Sequence, residues 1–156
     1  MKDNILLHGF FKTEFFDQLE KQNPKKVFIL EGRPSLESSR HSCRELLKRK
    51  INPTLIADNM GGFLFNKRLI EEVALAYQDM SDRNALCQIG GLILAVLGKR
   101  HNVPIYLYPA SVRQEQMGQE KDIFYFNKIR VAPQGIKGYV PLIEWIPEKY
   151  VTKKVK

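Results

Sequence analysis

The chain contains 156 residues, of which 44% are hydrophobic and 10% aromatic, enough for the core of one domain, and it carries a formal net charge of +8. The longest strongly apolar stretch, from Ala85 to Gly98, is too short and too interrupted to cross a bilayer, and the first residues lack the apolar run of a signal peptide. We therefore expect one cytoplasmic domain over residues 1–156, with a turn-rich C-terminal wrap from about residue 132 and no membrane contact.

Short apolar runs alternate with helical patterns along the chain, which is typical of β-α-β units and a mostly parallel sheet. Helices are predicted at 13–22 and from just after Pro34 to Lys50, and a third begins at a cap formed by Asn84, with Gly90 and Gly91 in its interior. In chain order, strands are predicted at 5–8, 26–31, 54–58, 73–77 and 104–108, with a later one near 125–131. The fold class is therefore α/β.

The basic surplus raises the question of a nucleic-acid partner. Two of the basic clusters, at 48–50 and 99–100, end predicted helices, where positive side chains complement the helix dipole. The remaining one lies in the C-terminal tail, and no motif for sequence-specific DNA or RNA recognition is found. Nucleic acid therefore stays an alternative partner that the sequence does not favour.

Two cysteines, Cys43 and Cys87, both fall within predicted helices. Neither has a second cysteine or a histidine at the spacing of metal ligands, so we predict no metal site. In a reducing compartment a disulfide is not expected either, and Cys43 is interpreted as a small core residue. No cofactor is predicted.

The first candidate loop, residues 31–35, leaves a predicted strand and enters a helix, where free helix N–H groups attract anions. It contains Glu31, and Gly32 allows a tight turn there. Arg33 can bind a phosphate or carboxylate in a forked geometry, and Arg40 follows within two helical turns. Together they predict an anion pocket, although a helix cap and a turn would explain the loop equally.

The second candidate loop, residues 58–62, also runs from a strand into a helix. Asp58 and Asn59 can accept hydrogen bonds from sugar hydroxyls, and the glycines that follow Met60 let a ligand approach the backbone. The alternative is again a structural turn. Each loop alone is weak support for a binding site, but their order and separation are more informative.

Several segments, taken together, are similar to the motifs of one known family. Residues 31–34, Glu-Gly-Arg-Pro, resemble its Glu-Thr-Arg-Pro, and the Arg40 segment, Ser-Ser-Arg, resembles its Gly-Ala-Arg. Residues 54–60, Thr-Leu-Ile-Ala-Asp-Asn-Met, resemble its Thr-Leu-Ile-Thr-Asp-Asn-Met, and residues 88–91, Gln-Ile-Gly-Gly, resemble its Lys-Ile-Gly-Thr. The chain thus resembles the C-terminal domain of translation initiation factor 2B alpha, beta and delta subunits and of methylthioribose-1-phosphate isomerases, over nearly its whole length.

This resemblance implies a three-layer Rossmann-like domain with a pocket for a phosphorylated sugar or nucleotide. It also implies a homodimer formed largely through this domain. The ligand-binding residues that it implies, or that the loops predict, are Glu31, Arg33, Arg40, Asp58, Asn59, Met60, Gly61 and Gln88.

The chain departs from the family at the residues that carry the isomerase reaction. Gly9, in Leu-His-Gly-Phe, takes the place of the cysteine in the isomerases' Thr-His-Cys-Asn, and Tyr77 takes the place of their catalytic aspartate. Because one missing proton-transfer group lowers a rate by about 10²- to 10⁴-fold, we expect a binding or regulatory domain without isomerase activity. The alternative is a sugar-phosphate isomerase with displaced acid and base, for which the candidates are His8, Asp79 and Cys87.

Overall fold

A computed structural model describes residues 3–155, which form a central eight-stranded sheet with helices on both faces. The helices are α1 (Thr13–Gln22), α2 (Glu37–Lys48), α3 (Gly61–Asn66), α4 (Gly91–His101) and α5 (Lys121–Phe124). The strands are β1 (Asn4–His8), β2 (Lys26–Leu30), β3 (Thr54–Ile56), β4 (Glu72–Ser81), β5 (Asn84–Gln88), β6 (Ile105–Pro109), β7 (Tyr125–Phe126), β8 (Ile129–Arg130), β9 (Ile143–Pro147) and β10 (Lys153–Lys154). Short 3-10 helices cover Asp58–Met60 and Glu148–Tyr150.

Six strands form a parallel sheet in the order β10-β6-β4-β1-β2-β3. Leu6 of β1 pairs with Phe28 of β2 on one side and with Val73 of β4 on the other. The antiparallel part is formed by β5, which pairs with the second half of β4, and by β9, which pairs with β5. The predicted α/β fold with a mostly parallel sheet is therefore confirmed.

Two apolar cores, one on each face of the sheet, explain the continuous apolar runs of the strands. Leu6 of β1 packs into the core that α3 and α4 cover, whereas its neighbours Ile5 and Leu7 pack into the core that α1 and α2 cover. A strand buried on both faces carries mostly apolar side chains on both. This is why the composition of runs such as 5–8 and 26–31 predicts strands.

The prediction of a helix from Asn84 is wrong for its first residues, because Asn84–Gln88 forms strand β5. Ala85 and Cys87 are buried and Leu86 is only partly buried, an alternation typical of a strand held between neighbours. The helix itself begins at Gly91, with Gly90 as its N-cap at a φ of 94°, so neither glycine lies in a helix interior. The left-handed backbone at Gly90 is unfavourable for any residue with a side chain. The Cβ of such a residue would lie 3.4 Å from His8 Nε2.

The consequence for the cysteines is that Cys43 lies in α2, as predicted, whereas Cys87 lies in β5 rather than in a helix. Both are free thiols. Among the described residues, no three His, Cys, Asp or Glu side chains gather as they would around a metal ion. Within residues 3–155, no helix has both the length and the apolar character needed to cross a membrane.

The strand predicted near 125–131 is a small hairpin of β7 and β8, separate from the main sheet. Asn127 and Lys128 form its turn with positive φ angles of 48° and 66°. After the hairpin the chain returns to the main sheet twice, where β9 pairs with β5 and β10 pairs with β6.

Candidate functional site

A cavity of about 510 Å³ lies where the carboxyl ends of β1, β2 and β3 meet the start of α4, the edge at which open α/β sheets bind ligands. Its polar lining consists of His8, Arg33, Asp58, Asn59 and Glu144, and its apolar lining consists of Leu30, Ile89, Ile93, Leu94 and Leu97. An apolar wall with a few placed polar groups is typical of small-molecule sites. Another depression, of about 650 Å³, lies beside Arg68 and Arg100 at the opposite edge of the sheet.

Asp58 joins the two predicted loops. Its Oδ1 accepts a hydrogen bond from the backbone N–H of Gly32 at 2.9 Å, and its Oδ2 accepts one from the backbone N–H of Arg33 at 2.7 Å. Gly32 has a φ of 71°, and a Cβ there would lie 2.6 Å from Ser38 Oγ, so this tight turn requires glycine. The loop after β2 is therefore fixed by a carboxylate from the loop after β3.

Arg33 extends from this anchored turn along the wall of the cavity. Its Nη1 donates a hydrogen bond to the backbone oxygen of Tyr125 at 3.1 Å, and its guanidinium carbon lies 5.1 Å from the centre of the Phe126 ring. A guanidinium has five N–H donors, so most remain available for an anion. The β7–β8 hairpin thus holds the arginine in place without using up its hydrogen-bonding capacity.

Of the two arginines predicted for the pocket, Arg33 alone lines the cavity. Arg40 is exposed on α2 and does not border it, so an anion contact by Arg40 stays a prediction. Glu31 is half-buried and Met60 is exposed, and neither lines the cavity, unlike Asn59 and Gly61. The structure therefore brings together Arg33, Asp58, Asn59 and Gly61 from the predicted set.

Gln88, the remaining predicted ligand-binding residue, is buried and lies beneath the first loop. A Cβ on Gly32 would be 3.0 Å from Gln88 Nε2, which shows how closely the amide approaches the turn. The other amide atom, Oε1, has no hydrogen-bond partner within the described part of the chain. Gln88 therefore lies next to the turn that carries Arg33 but not on the cavity wall.

His8 lines the cavity with only 4% of its surface exposed. Its Nε2 lies 2.8 Å from the backbone oxygen of Ile89, and because a carbonyl can only accept, Nε2 carries the proton. Burial lowers the pKa of His8 below 6.5, partly offset by this hydrogen bond and by the negative charges of Asp58 and Glu144. The ring is therefore neutral near pH 7, and its Nδ1 is a buried acceptor that has no partner among residues 3–155.

Glu144 on β9 is a site residue that sequence reasoning missed. Its Oε1 accepts hydrogen bonds from the backbone N–H groups of Gly90, at 2.7 Å, and Leu92, at 3.0 Å, so it caps the start of α4. The sequence contained one usable signal, the Gly90-Gly91 pair at the true helix start. The capping partner lies more than 50 positions downstream and has no local signature.

The displaced acid and base candidates are not assembled into one site. Burial, and to a lesser extent Glu144, raises the pKa of the Cys87 thiol to about 12, so it is protonated at neutral pH. Asp79 is exposed, pairs with Arg113 at 2.5 Å and does not line the cavity. Only His8 of the three borders the cavity.

Packing also disfavours a thiol at Gly9, the position where the resemblance places the isomerases' cysteine. Gly9 has a φ of 107°, and a Cβ there would lie 2.8 Å from the Cβ of Ala76. A cysteine at this position would meet both a strained backbone and a steric clash. Tyr77, which the resemblance places at the position of the family aspartate, is half-buried, and the Lys154 ammonium lies 4.8 Å from its ring centre.

Comparison with known protein families matches residues 2–155 to the family described as the initiation factor 2 subunit family. The chain belongs to this family. A methylthioribose-1-phosphate isomerase from Acetivibrio thermocellus is 34% identical over 143 residues, covering 81% of this chain and 41% of the relative. One from Thermus thermophilus is 29% identical over 140 residues, covering 82% and 42%. This member of the initiation factor 2 subunit family therefore spans about two fifths of the length of these relatives.

Solved structures show the same fold. Translation initiation factor eIF-2B subunit delta from A. fulgidus matches with a TM-score of 0.83 and 22% identity, covering 100% of this chain and 53% of that one. A 5-methylthioribose 1-phosphate isomerase from Pyrococcus horikoshii OT3 matches with a TM-score of 0.84 and 20% identity, covering 99% and 50%. The family resemblance and the Rossmann-like fold expected from the sequence are thereby confirmed for this initiation factor 2 family chain.

The lowered pKa of His8 predicts a pH-dependent stability. Below pH 6.5 the unfolded chain binds a proton at His8 that the folded chain resists, so the free energy of unfolding falls as the pH drops below this value. Replacing His8 by Gln, which keeps a donor for Ile89, should flatten this dependence. The measurement is urea denaturation at several pH values between 7.5 and 5. The exposed His101→Gln serves as control, and an equal slope in wild type and His8→Gln would contradict the prediction.

Proposed function

We propose that this chain is a ligand-binding module whose cavity takes a small phosphorylated sugar or nucleotide, and that it lacks isomerase activity. One observation supports this most directly: Asp58 fixes the turn that carries Arg33, so that a guanidinium borders a cavity with an apolar wall. Such an arrangement suits a ligand that has an anionic group at one end and an uncharged body.

Arg33 is the anion contact in this proposal. Among the described residues that line the cavity it is the one permanent cation, since His8 is neutral near pH 7. A guanidinium binds phosphate oxygens through two parallel hydrogen bonds, which gives direction as well as affinity. Asn59 and the backbone at Gly61 line the same space and are suited to the hydroxyls of a sugar.

The proposed loss of isomerase activity follows from the chemistry of the candidate acid and base. A proton shuttle between adjacent sugar carbons needs two groups that reach the same substrate. Cys87 is protonated and packed in the core, and Asp79 is engaged with Arg113 away from the cavity. The names of the sequence relatives favour an isomerase as the second candidate, but this chain spans only about two fifths of their length.

The basic surplus is partly neutralised within the fold, which supports a small anionic ligand over nucleic acid. At the end of α2, Arg49 pairs with Asp17 at 2.6 Å and with Glu45 at 2.8 Å, and Lys48 pairs with Glu45 at 2.5 Å. Phosphate groups of a nucleic acid would have to compete with these carboxylates. We also propose a cytoplasmic setting, in which Cys43 and Cys87 stay free thiols.

Arg33→Ala should strongly reduce the stabilisation that phosphorylated ligands give. Ribose 5-phosphate and adenosine monophosphate should raise the melting temperature of the wild type, since a ligand at 100 times its Kd stabilises by about 2.7 kcal/mol. Loss of a hydrogen bond to a charged group costs about 1.5–3 kcal/mol, or roughly 10- to 150-fold in Kd. The measurement is a thermal-shift titration with direct determination of Kd.

The control is Arg44→Ala, which removes an exposed arginine from α2, and unphosphorylated ribose tests the need for the anion. No stabilisation of the wild type by either compound, or an unchanged Kd in Arg33→Ala, would contradict the proposal. Turnover of a pentose phosphate that is lost in Asp79→Asn would establish the isomerase alternative instead.

We further propose that two copies of the chain form a homodimer through α3 and α4. These helices pack together, with Gly62 against Leu97, and expose apolar side chains on their outer face. Phe63 is 52% exposed, Ile93 66% and Val96 41%. An apolar surface of this kind on adjacent helices is typical of a protein interface.

Val96→Asp should therefore convert a dimer into a monomer, because it buries an unpaired charge in the interface. Sedimentation or light scattering should give twice the chain mass of 18.1 kDa for the wild type and the single mass for the variant. Leu47→Asp, at a more exposed apolar position on α2, should leave the dimer intact. A monomeric wild type at micromolar concentration, or a Val96→Asp dimer, would rule out this interface.

A further inference from the structure

The start of α4 is the natural place for an anion at this edge of the sheet. The helix has 11 residues, and its first backbone N–H groups point toward the cavity that Gly90 and Glu144 line. Unpaired N–H groups and the helix dipole together attract phosphate and carboxylate groups. In this chain the position is already taken by the Glu144 carboxylate, which binds the N–H groups of Gly90 and Leu92 through Oε1.

The cavity lining carries groups of different character on different elements. On the loop after β2, Arg33 offers N–H donors and a positive charge. At the start of α4, Glu144 is negative, and the His8 ring, hydrogen-bonded to Ile89, is neutral with an unpartnered Nδ1. Glu144 and His8 both accept hydrogen bonds, and neither attracts an anion.

The other carboxylate of the lining, Asp58, does not change this division. Its two oxygens are engaged by the N–H groups of Gly32 and Arg33, so its charge is partly balanced by the first loop. Glu144, in contrast, binds both N–H groups through Oε1, so Oε2 takes no part in these two hydrogen bonds. Oε2 and His8 Nδ1 are therefore the acceptors that a ligand's O–H or N–H donors can satisfy.

We propose that Glu144 is a specificity-determining residue that excludes anionic groups from the N-terminus of α4 and orients the ligand. The anionic group of the ligand lies at Arg33, and its uncharged, hydroxyl-bearing end lies at Glu144 and His8. The orientation depends on the binding function proposed above, whereas the exclusion of anions from α4 does not. A like charge brought against a fixed carboxylate costs enough to decide the orientation.

The test uses inorganic phosphate as probe, with Kd measured by isothermal titration calorimetry. Glu144→Ala vacates the N–H groups of Gly90 and Leu92 and removes the repulsion, so phosphate affinity should rise at least about tenfold over wild type. The gain should persist in Glu144→Ala/Arg33→Ala, because the new phosphate lies at α4. This double variant keeps the outcome independent of whether Arg33 binds anything at all.

Glu144→Gln keeps an acceptor for the helix N–H groups and loses only the charge, so it guards against a folding defect in Glu144→Ala. Its phosphate affinity should rise less than that of Glu144→Ala, because the amide still fills the site. Glu148→Gln, an exposed glutamate after β9, should leave phosphate affinity unchanged.

The inference would be overturned if both Glu144 variants fold, as judged by circular dichroism, and bind phosphate no more tightly than wild type. A lowered melting temperature without any gain in phosphate affinity would likewise overturn it, since Glu144 would then be a helix cap and nothing more. Loss of the gain in the double variant would place the phosphate at Arg33 and contradict exclusion at α4.

Discussion

The site depends on one carboxylate that accepts two backbone hydrogen bonds. Asp58, directly after β3, binds the N–H groups of Gly32 and Arg33, directly after β2, and so joins two loops that are 25 residues apart in sequence. Hydrogen bonds to a charged acceptor contribute about 1.5–3 kcal/mol each, more than neutral ones. Because the first loop is fixed in this way, Arg33 reaches the β7–β8 hairpin and borders the cavity instead of extending into solvent.

Most of the parallel sheet could be predicted from the sequence because its signals are local. The runs 5–7 and 27–30 are continuously apolar since these strands are buried on both faces, and the candidate loops at 31–35 and 58–62 stand out by their Gly, Pro and Asp residues. The positions of Arg33 and Asp58 at the ligand edge follow from strand polarity alone. The hydrogen bonds that join the two loops do not follow in this way, because the sequence suggests Asp58 as an acceptor for sugar hydroxyls rather than for the backbone of the first loop.

The remaining features depend on pairings between distant segments. Residues 84–88 have a composition that fits a buried helix as well as a strand, and only their pairing with β4 and β9 decides between the two. A helix that starts at Asn84 leaves no role for Glu144, because the N–H groups that Glu144 caps belong to Gly90 and Leu92. Arg40 does not border the cavity for a similar reason. The buried face of α2 consists of Ser38, Ser39, Ser42 and Leu46, and Arg40 lies outside this face.

Within the described chain, the residues that line the cavity include the cation Arg33 and the acceptors Glu144 and His8, whereas Cys87 and Asp79 do not line it. The most direct test of this account is a double-mutant cycle on the Kd for ribose 5-phosphate, with Asp58→Ala, Arg33→Ala and the combined variant. If Asp58 acts by positioning Arg33, the combined variant should bind no more weakly than Arg33→Ala, with a coupling of at least about 1 kcal/mol. Wild-type affinity in Asp58→Ala, or losses that simply add, would contradict it.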